Sequence, residues 1–261
     1  MYEVDVIIPN YNETLKLKRA IDSVLNQNSV NTAIFVVDNG HSTDVSEYIS
    51  SELKSKNQEI NFVKLNDPRH PGFARHQGLI RGSNPWAAFL DSDDWWEPDH
   101  LISSINFALK GNYDLVSTDA LVHLNESDNP EPLSYFGGNK SKWGWKYIFT
   151  NPNINSSIVF RRSLLEKVGD YPSSHMTKGV EDYAFILRAC SVGTSSRSSA
   201  ASVHYSRSSQ SLSASIPSYA KVAAYLDFLR WLNFAKKNRK LKMMVIRSLV
   251  IFQIVKESLN T

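Results

Sequence analysis

The sequence predicts an α/β fold, a mostly parallel central sheet flanked by helices with a C-terminal helical extension. Three observations lead there. Short β-rich runs alternate with helical patterns through the first half of the chain, the order expected of strand–helix–strand units. Polar residues gather where those runs end, at PNYNE 9–13, VVDNGHSTD 36–44 and LDSDD 90–94, and ligands of open α/β sheets bind beyond the carboxyl ends of the strands. With 261 residues, 42% hydrophobic and 21% charged, the chain is large enough for one sizeable core and an appendage.

Taken in order, residues 4–8 read as a strand, and Leu17, Ala20, Ile21, Val24 and Leu25 fall on one face of a helix. Residues 33–37 are a second strand, 44–56 a polar helix and 60–65 a third strand. A helix over 73–81 precedes the strand 86–90. Pro98 suits a first helical position, and Leu101, Ile102, Ile105, Ala108 and Leu109 give the helix after it a buried face. The run 113–117 is a further strand.

Beyond about residue 120 the pattern becomes irregular. NESDNPEP and FGGN are loop signals, and Trp143, Trp145, Tyr147 and Phe149 cluster nearby as an acceptor surface or as core. Residues 191–215 contain twelve serines, which predicts an adaptable loop or lid. Tyr219, Val222, Ala223, Leu226, Leu229 and Leu232 then share one helical face, and a second helix over 241–259 follows KKNRK.

The formal charge of +3 is small, but residues 221–261 hold nine Lys or Arg against two acids, leaving the remainder at −4. A nucleic-acid protein would carry its basic residues along the site, so no nucleic acid is expected. The basic segment suits phosphate headgroups, a partner or plain solvent. Cys190 is the single cysteine, which excludes an internal disulfide and fits a reducing, cytoplasmic setting. The opening MYEVDVIIPN lacks the basic start of an export signal. No stretch of about 18 apolar residues marks a membrane span.

Three carboxylates within four residues, Asp91, Asp93 and Asp94, follow an apolar strand, and such a cluster is tolerable when solvated, paired with bases or neutralised by a hard cation. Tyr11 and Glu13 after Pro9, with Asp38 at the neighbouring tip, could hold a nucleoside base or ribose, although capping explains Asp38, Ser42 and Asp44 as readily. DPRHPGFARHQG places Arg69, His70, Arg75 and His76 around a helix entrance, where phosphate oxygens are attracted. Glu181 and Asp182 open an apolar helix, as dipole-favoured caps or as a general base.

Together PNYNE, VDNGHSTD, GFARHQG, LDSDD and VED resemble glycosyltransferase family 2, with its GT-A (Rossmann-like) fold, across about residues 2–213. Five motifs in family order are far more specific than any one. The resemblance implies that Pro9, Tyr11, Glu13 and Asp38 hold the nucleoside, that Arg75 approaches the diphosphate, and that Asp91 and Asp93 form the metal-binding DxD pair for Mg2+ or Mn2+. Asp93 is then the direct metal ligand, Asp91 bridges toward the ribose, Asp94 caps the turn into Trp95, and Asp182 is the catalytic base. Two positions depart from the family pattern. Asn39 stands where an Asp is common, and Ser208 occupies the usual place of a His, with His204 a weaker candidate metal ligand.

By that resemblance residues 1–215 form the catalytic domain, with a nucleotide-sugar-binding half at 1–118, an acceptor half at 119–215 and a basic helical extension at 216–261. The expected reaction is inverting transfer of a sugar from a nucleotide-sugar, a UDP-sugar foremost, to a carbohydrate or lipid-linked acceptor in cell-surface polysaccharide or glycolipid synthesis. The C-terminal helices would pack on the catalytic domain, form a homodimer, or touch the inner face of the membrane. A sugar-nucleotide-forming nucleotidyltransferase would need a glycine-rich loop after the first strand, which PNYNE lacks. A non-catalytic nucleotide-sugar-binding scaffold with a degenerate site is the remaining alternative.

Overall fold

The structure, a computed structural model, describes residues 1–40, 45, 48–49, 60–66, 70–124, 130–133, 153–207, 220–234 and 239–258. Most of the expected helix at 44–56, Arg69, the aromatic cluster 143–149 and Ser208 lie outside them.

Nine strands form one sheet among the described residues. They are β1 (Tyr2–Asn10), β2 (Val30–Asp38), β3 (Ile60–Lys64), β4 (Trp86–Phe89), β5 (Trp95–Trp96), β6 (Leu115–His123), β7 (Glu131–Leu133), β8 (Val159–Arg161) and β9 (Ser195–Ser206), in the order β3-β2-β1-β4-β8-β6-β9-β5 with β7 beside β6. The first four pair in parallel. β8 is antiparallel to both β4 and β6, so β6 still points the same way as β4, and β9 runs parallel to β6. The sheet is therefore a parallel half joined to a mixed half.

The helices are α1 (Leu15–Leu25), α2 (Pro71–Leu79), α3 (His100–Gly111), α4 (Leu164–Val168), α5 (Glu181–Val192), α6 (Ala220–Phe234) and α7 (Arg239–Ser258). Strand residues alternate between faces, and β1 shows it. Val4, Val6 and Ile8 join one core layer with α1 and α3. Ile7 faces the other layer, with Phe89, Phe160 and the apolar side of α5. Both faces are thus covered, as the strand–helix alternation predicts.

Four local expectations change. Pro9 does not end its strand, because β1 pairs with β4 only as far as Ile7, leaving Pro9 beside β2 alone, where a missing N–H costs least. Pro98 precedes the helix, which begins at His100 after Asp99. The serine-rich segment is not a loop over its described part. Residues 195–206 are the twelve-residue strand β9, with Ser195, Ser196, Ser202 and Val203 buried. Small hydroxyl side chains fit between crowded neighbours there, and β9 bulges against Thr118 and Asp119. Finally, Leu226 lies on the exposed side of α6, and the buried face is Ala224, Tyr225, Phe228, Trp231 and Leu232.

That face of α6, with Val245 of α7, packs on Val180, Tyr183, Ala184 and Leu187. The Tyr183 and Tyr225 hydroxyls lie 3.1 Å apart, and Arg188 donates to Asp227 through Nε at 3.1 Å and Nη2 at 2.6 Å. The C-terminal helices are thereby fixed to α5. No described helix is long and apolar enough to cross a membrane.

Candidate active site

The strand order reverses between β1 and β4. The chain leaves β1 toward β2 and β3 and returns on the other side as β4, and this reversal opens a crevice at the carboxyl ends of the strands. At its first edge Asn10 and Asp38 are register partners. Asn10 Nδ2 and the Gly40 N–H both donate to Asp38 Oδ1 at 3.3 Å. Asp38 is fully buried, and its Oδ2 has no hydrogen-bond partner among the described residues. Leaving a buried acceptor unmet costs about 1–3 kcal/mol, so this oxygen is suited to a ligand N–H or hydroxyl. A Cβ on Gly40 would lie 2.8 Å from the Asn12 backbone nitrogen, so the turns after β1 and β2 meet only because glycine stands there. Tyr11 is 59% exposed beside them, and Glu13 accepts from Lys16 Nζ at 3.2 Å.

After β4 the chain turns through residues 91–94, closed by the Asp94 N–H on the Asp91 carbonyl at 3.0 Å. Its three carboxylates meet different surroundings. Asp91 Oδ1 accepts from Arg75 Nη2 at 2.6 Å. Asp93 is half-buried, and burial, then the charge of Asp91, push its pKa up to about 6 despite Lys16 nearby. Asp94 is fully buried and braces the turn. Its Oδ2 accepts from Ser156 Oγ at 2.5 Å and its Oδ1 from the Ser206 N–H at 2.9 Å. Burial, followed by Asp93 and Asp91, raises its pKa well above the usual carboxylate range. Ser156 Oγ also accepts from the Asp91 N–H at 3.0 Å, so one hydroxyl secures both ends of the turn. The Asp93 carbonyl is held by Arg19 Nη2 at 3.0 Å and Ser206 Oγ at 2.7 Å.

The third part is the start of α5. Glu181 is 4% exposed, accepting from Arg75 Nη1 at 2.9 Å on Oε1 and from the Gly179 N–H at 2.7 Å on Oε2. The Asn155 amide, turned with its oxygen toward the guanidinium, accepts from Arg75 Nε at 2.9 Å. A Cβ on Gly72 would sit 2.6 Å from the Pro172 carbonyl and 2.8 Å from Glu181 Cγ. This bare helix turn lets α2 lie against α5 and Arg75 span the gap. Burial opposes the charge on Arg75, but Asp91, Tyr171 and Glu181 outweigh it and raise its pKa well above the ordinary value.

The Tyr171 hydroxyl is buried without a hydrogen-bond partner among the described residues, and Arg75, Glu181, Asp182 and Asp91 all act on it electrostatically. Asp182 therefore shares a neighbourhood with the strand-tip carboxylates. It is half-buried, and its Oδ1 accepts from the Tyr183 N–H at 2.7 Å.

Asp91 and Asp93 fit a hard divalent cation. Two neighbouring carboxylates, one of them with its pKa raised by burial and then by the other's charge, gain from a shared positive ion, and Mg2+ sites commonly use one or two carboxylates with substrate phosphates. Among the described residues no cluster of three or more His, Cys, Asp or Glu is placed to hold a metal. His204 has both ring nitrogens engaged, Nδ1 with His123 Nε2 at 2.9 Å and Nε2 with Glu97 Oε1 at 2.7 Å. Its ring is stacked on Trp95 at 4.7 Å, and Trp95 also meets the His123 ring at 4.7 Å and the Arg19 guanidinium at 3.7 Å. Metal ligation by His204 would require one of those hydrogen bonds to open.

Asn10, Arg19, Asn155, Ser156, Tyr171 and Ser206 escape sequence reasoning, because no local pattern announces a partner many residues away. Glu181 carried a signal in its place in VED beside Asp182, and Asn10 a weaker one within PNYNE.

A family model described as glycosyl transferase family 2 matches residues 5–169. An uncharacterised glycosyltransferase of Haemophilus influenzae is 28% identical over 193 residues, covering 70% of each chain. The Escherichia coli UDP-Glc:alpha-D-GlcNAc-diphosphoundecaprenol beta-1,3-glucosyltransferase WfgD is 30% identical over 132 residues, 46% of this chain and 49% of its own length. This chain thus spans about half of WfgD. Residues 1–349 of Staphylococcus aureus TarS share the fold, with a TM-score of 0.73 at 18% identity, covering 98% of this chain and 72% of that one. TarS has also been solved with UDP-GlcNAc.

Proposed function

The chain belongs to glycosyl transferase family 2, and on that premise we propose that it transfers a sugar with inversion from a UDP-sugar to an acceptor hydroxyl in cell-surface polysaccharide or glycolipid assembly. The observation that carries the proposal is Arg75, whose guanidinium joins Asp91 at a strand tip to Glu181, the residue before Asp182. It draws the donor end and the base end of the site together.

In this reading the open Oδ2 of Asp38 receives the nucleoside, with Pro9, Tyr11 and Glu13 lining its turn. Asp91 and Asp93 hold Mg2+ or Mn2+, which when bound neutralises charge on the leaving diphosphate. Asp182 takes the proton of the acceptor hydroxyl. The hydroxyl oxygen bonds to the anomeric carbon as the bond to the diphosphate breaks, and the nucleoside diphosphate departs from the opposite face. Arg75 supports that departure electrostatically from behind Asp91. The UDP-sugar bound by TarS and the UDP-Glc in the name of WfgD support the choice of base. A cytoplasmic setting accords with this donor.

Release of UDP from a panel of UDP-sugars with and without Mn2+ tests the reading. We expect slow metal-dependent release, abolished in Asp93→Ala and, with acceptor present, in Asp182→Asn. Wild-type kcat in Asp182→Asn would remove Asp182 as the base. The engaged nitrogens of His204 favour one second reading, a nucleotide-sugar-binding scaffold, and binding of UDP-sugars without any release would establish it.

A further inference from the structure

Each C-terminal helix has a second side. The inner sides of α6 and α7 are spent on α5 and on each other, but both helices keep an ordered outer side. On α6 the exposed residues Leu226, Arg230 and Phe234 recur at helical spacing, and Phe234 is 91% exposed. On α7 Met243, Arg247 and Ile251 do the same, with Met243 48% and Ile251 55% exposed. Spacings of four residues keep each set on one side of its helix. Among the residues of both helices whose exposure is described, no exposed position is Asp or Glu, and Asp227 is turned inward onto Arg188. Over those residues each outer side thus mixes large apolar side chains with cations and offers no carboxylate.

We propose that these outer sides dock on an anionic phospholipid surface. Large apolar residues bracketing Arg is the arrangement that lies in a headgroup layer, burying apolar side chains while the guanidinium meets phosphate. Neither helix is long and apolar enough to cross, so the hairpin lies on the bilayer. Charge decides against a second copy of the chain as the occupant. A two-fold interface would bring like patches together, setting the exposed Arg230 and Arg247 against like cations of the other copy. A bilayer rich in anionic lipid neutralises the same cations, and the segment 221–261 carries nine basic residues against two acids.

The docking has a consequence for the active site. The hairpin is fixed to α5 through Tyr225 and Asp227, and α5 begins with Glu181 and Asp182. A bilayer-bound hairpin would hold α5, and with it the proposed base, one helix diameter (~10 Å) from the membrane surface, within range of a lipid-linked acceptor. That consequence rests on the glycosyltransferase reading, whereas the docking itself does not.

Co-sedimentation of the full chain with vesicles of phosphatidylcholine alone, or mixed with phosphatidylglycerol, tests the docking. We expect sedimentation with the mixed vesicles, little with phosphatidylcholine, and release by high salt. Arg230→Gln with Arg247→Gln should weaken partitioning about fivefold per cation. Phe234→Ser with Ile251→Ser should weaken it about tenfold. All four positions are exposed, so unchanged melting temperatures would verify the fold. Absence of sedimentation with anionic vesicles, or equal sedimentation of every variant, overturns the docking. So does a dimer in solution that the same substitutions dissociate, which would assign the outer sides to a second copy. UDP release is read in parallel, so docking without release sinks only the enzymatic reading, and release without docking sinks only this one.

Discussion

Arg75 is a buried cation between two carboxylates, and its worth lies in what removal would leave behind. Glu181 is as buried as its partner, and a buried charge stripped of its counter-ion costs about 3–5 kcal/mol. Arg75→Ala should therefore lower stability by about that much in urea melts and abolish UDP release. Arg75→Lys keeps the charge but cannot reach Asp91, Glu181 and Asn155 with one ammonium, so it should recover part of the stability and little of the activity. Adding Glu181→Gln to Arg75→Ala should cost less than the sum of the single changes, because the two groups share one interaction; strict additivity would show that Arg75 and Glu181 do not act as a pair. Individual residues were unevenly legible beforehand. Asp91 and Asp93 announce themselves by spacing after an apolar strand, whereas Asp94 reads as a turn cap. It braces the loop instead, since its partners Ser156 and Ser206 stand 62 and 112 residues further along.

At the scale of elements, α3 begins on a histidine that the fold keeps neutral. His100 is fully buried, stacked on Trp96 at 4.6 Å and hydrogen-bonded through Nδ1 to Ser202 Oγ at 2.8 Å. Burial lowers its pKa to about 3. The unfolded chain takes up a proton near pH 6.5 while the folded one does not, so His100 leaves stability intact above that pH and erodes it as pH falls. The slope approaches about 1.4 kcal/mol per pH unit below pH 6. Urea midpoints measured from pH 7.5 to 5 should fall in the wild type and fall less steeply in His100→Phe; parallel curves would show that another group carries the acid sensitivity. Ser202, the partner, sits in β9, which composition alone reads as a loop. Serine has little preference for strands, and only the tertiary setting, a narrow slot between β6 and β5, makes a serine-rich segment a buried strand. β8 escaped notice for a different reason, because three residues are too few to show a period.

The molecule as a whole is less divisible than its sequence suggests. The alternation of strands and helices in the first 118 residues invites reading them as a unit, and β1 to β4 do form a continuous parallel half. The sheet then closes with strands from elsewhere. β8 fills the edge of β4, and β6 lies between β8 and β9. Phe89 of β4 packs on Phe160, Tyr171 and Phe185, at ring separations of 5.4, 5.1 and 5.9 Å. Long-range pairing of this kind is invisible to local pattern, yet it decides where a cooperative unit ends. A fragment of residues 1–124 would keep Asp38, Asp91 and Asp93 while losing Glu181, Ser156 and Ser206 and exposing the β4 edge. We expect it to show no cooperative thermal transition and no stabilisation by UDP with Mn2+, while the full chain shows both, the ligand raising its melting temperature by mass action. If the fragment instead melted sharply and gained stability from UDP, the nucleotide end would stand without its braces. The hydroxyl of Ser156 would then be an ornament on a turn that forms by itself, whereas an inert fragment would mean that the carboxylates at the tip of β4 acquire their geometry only when the second half of the sheet is in place.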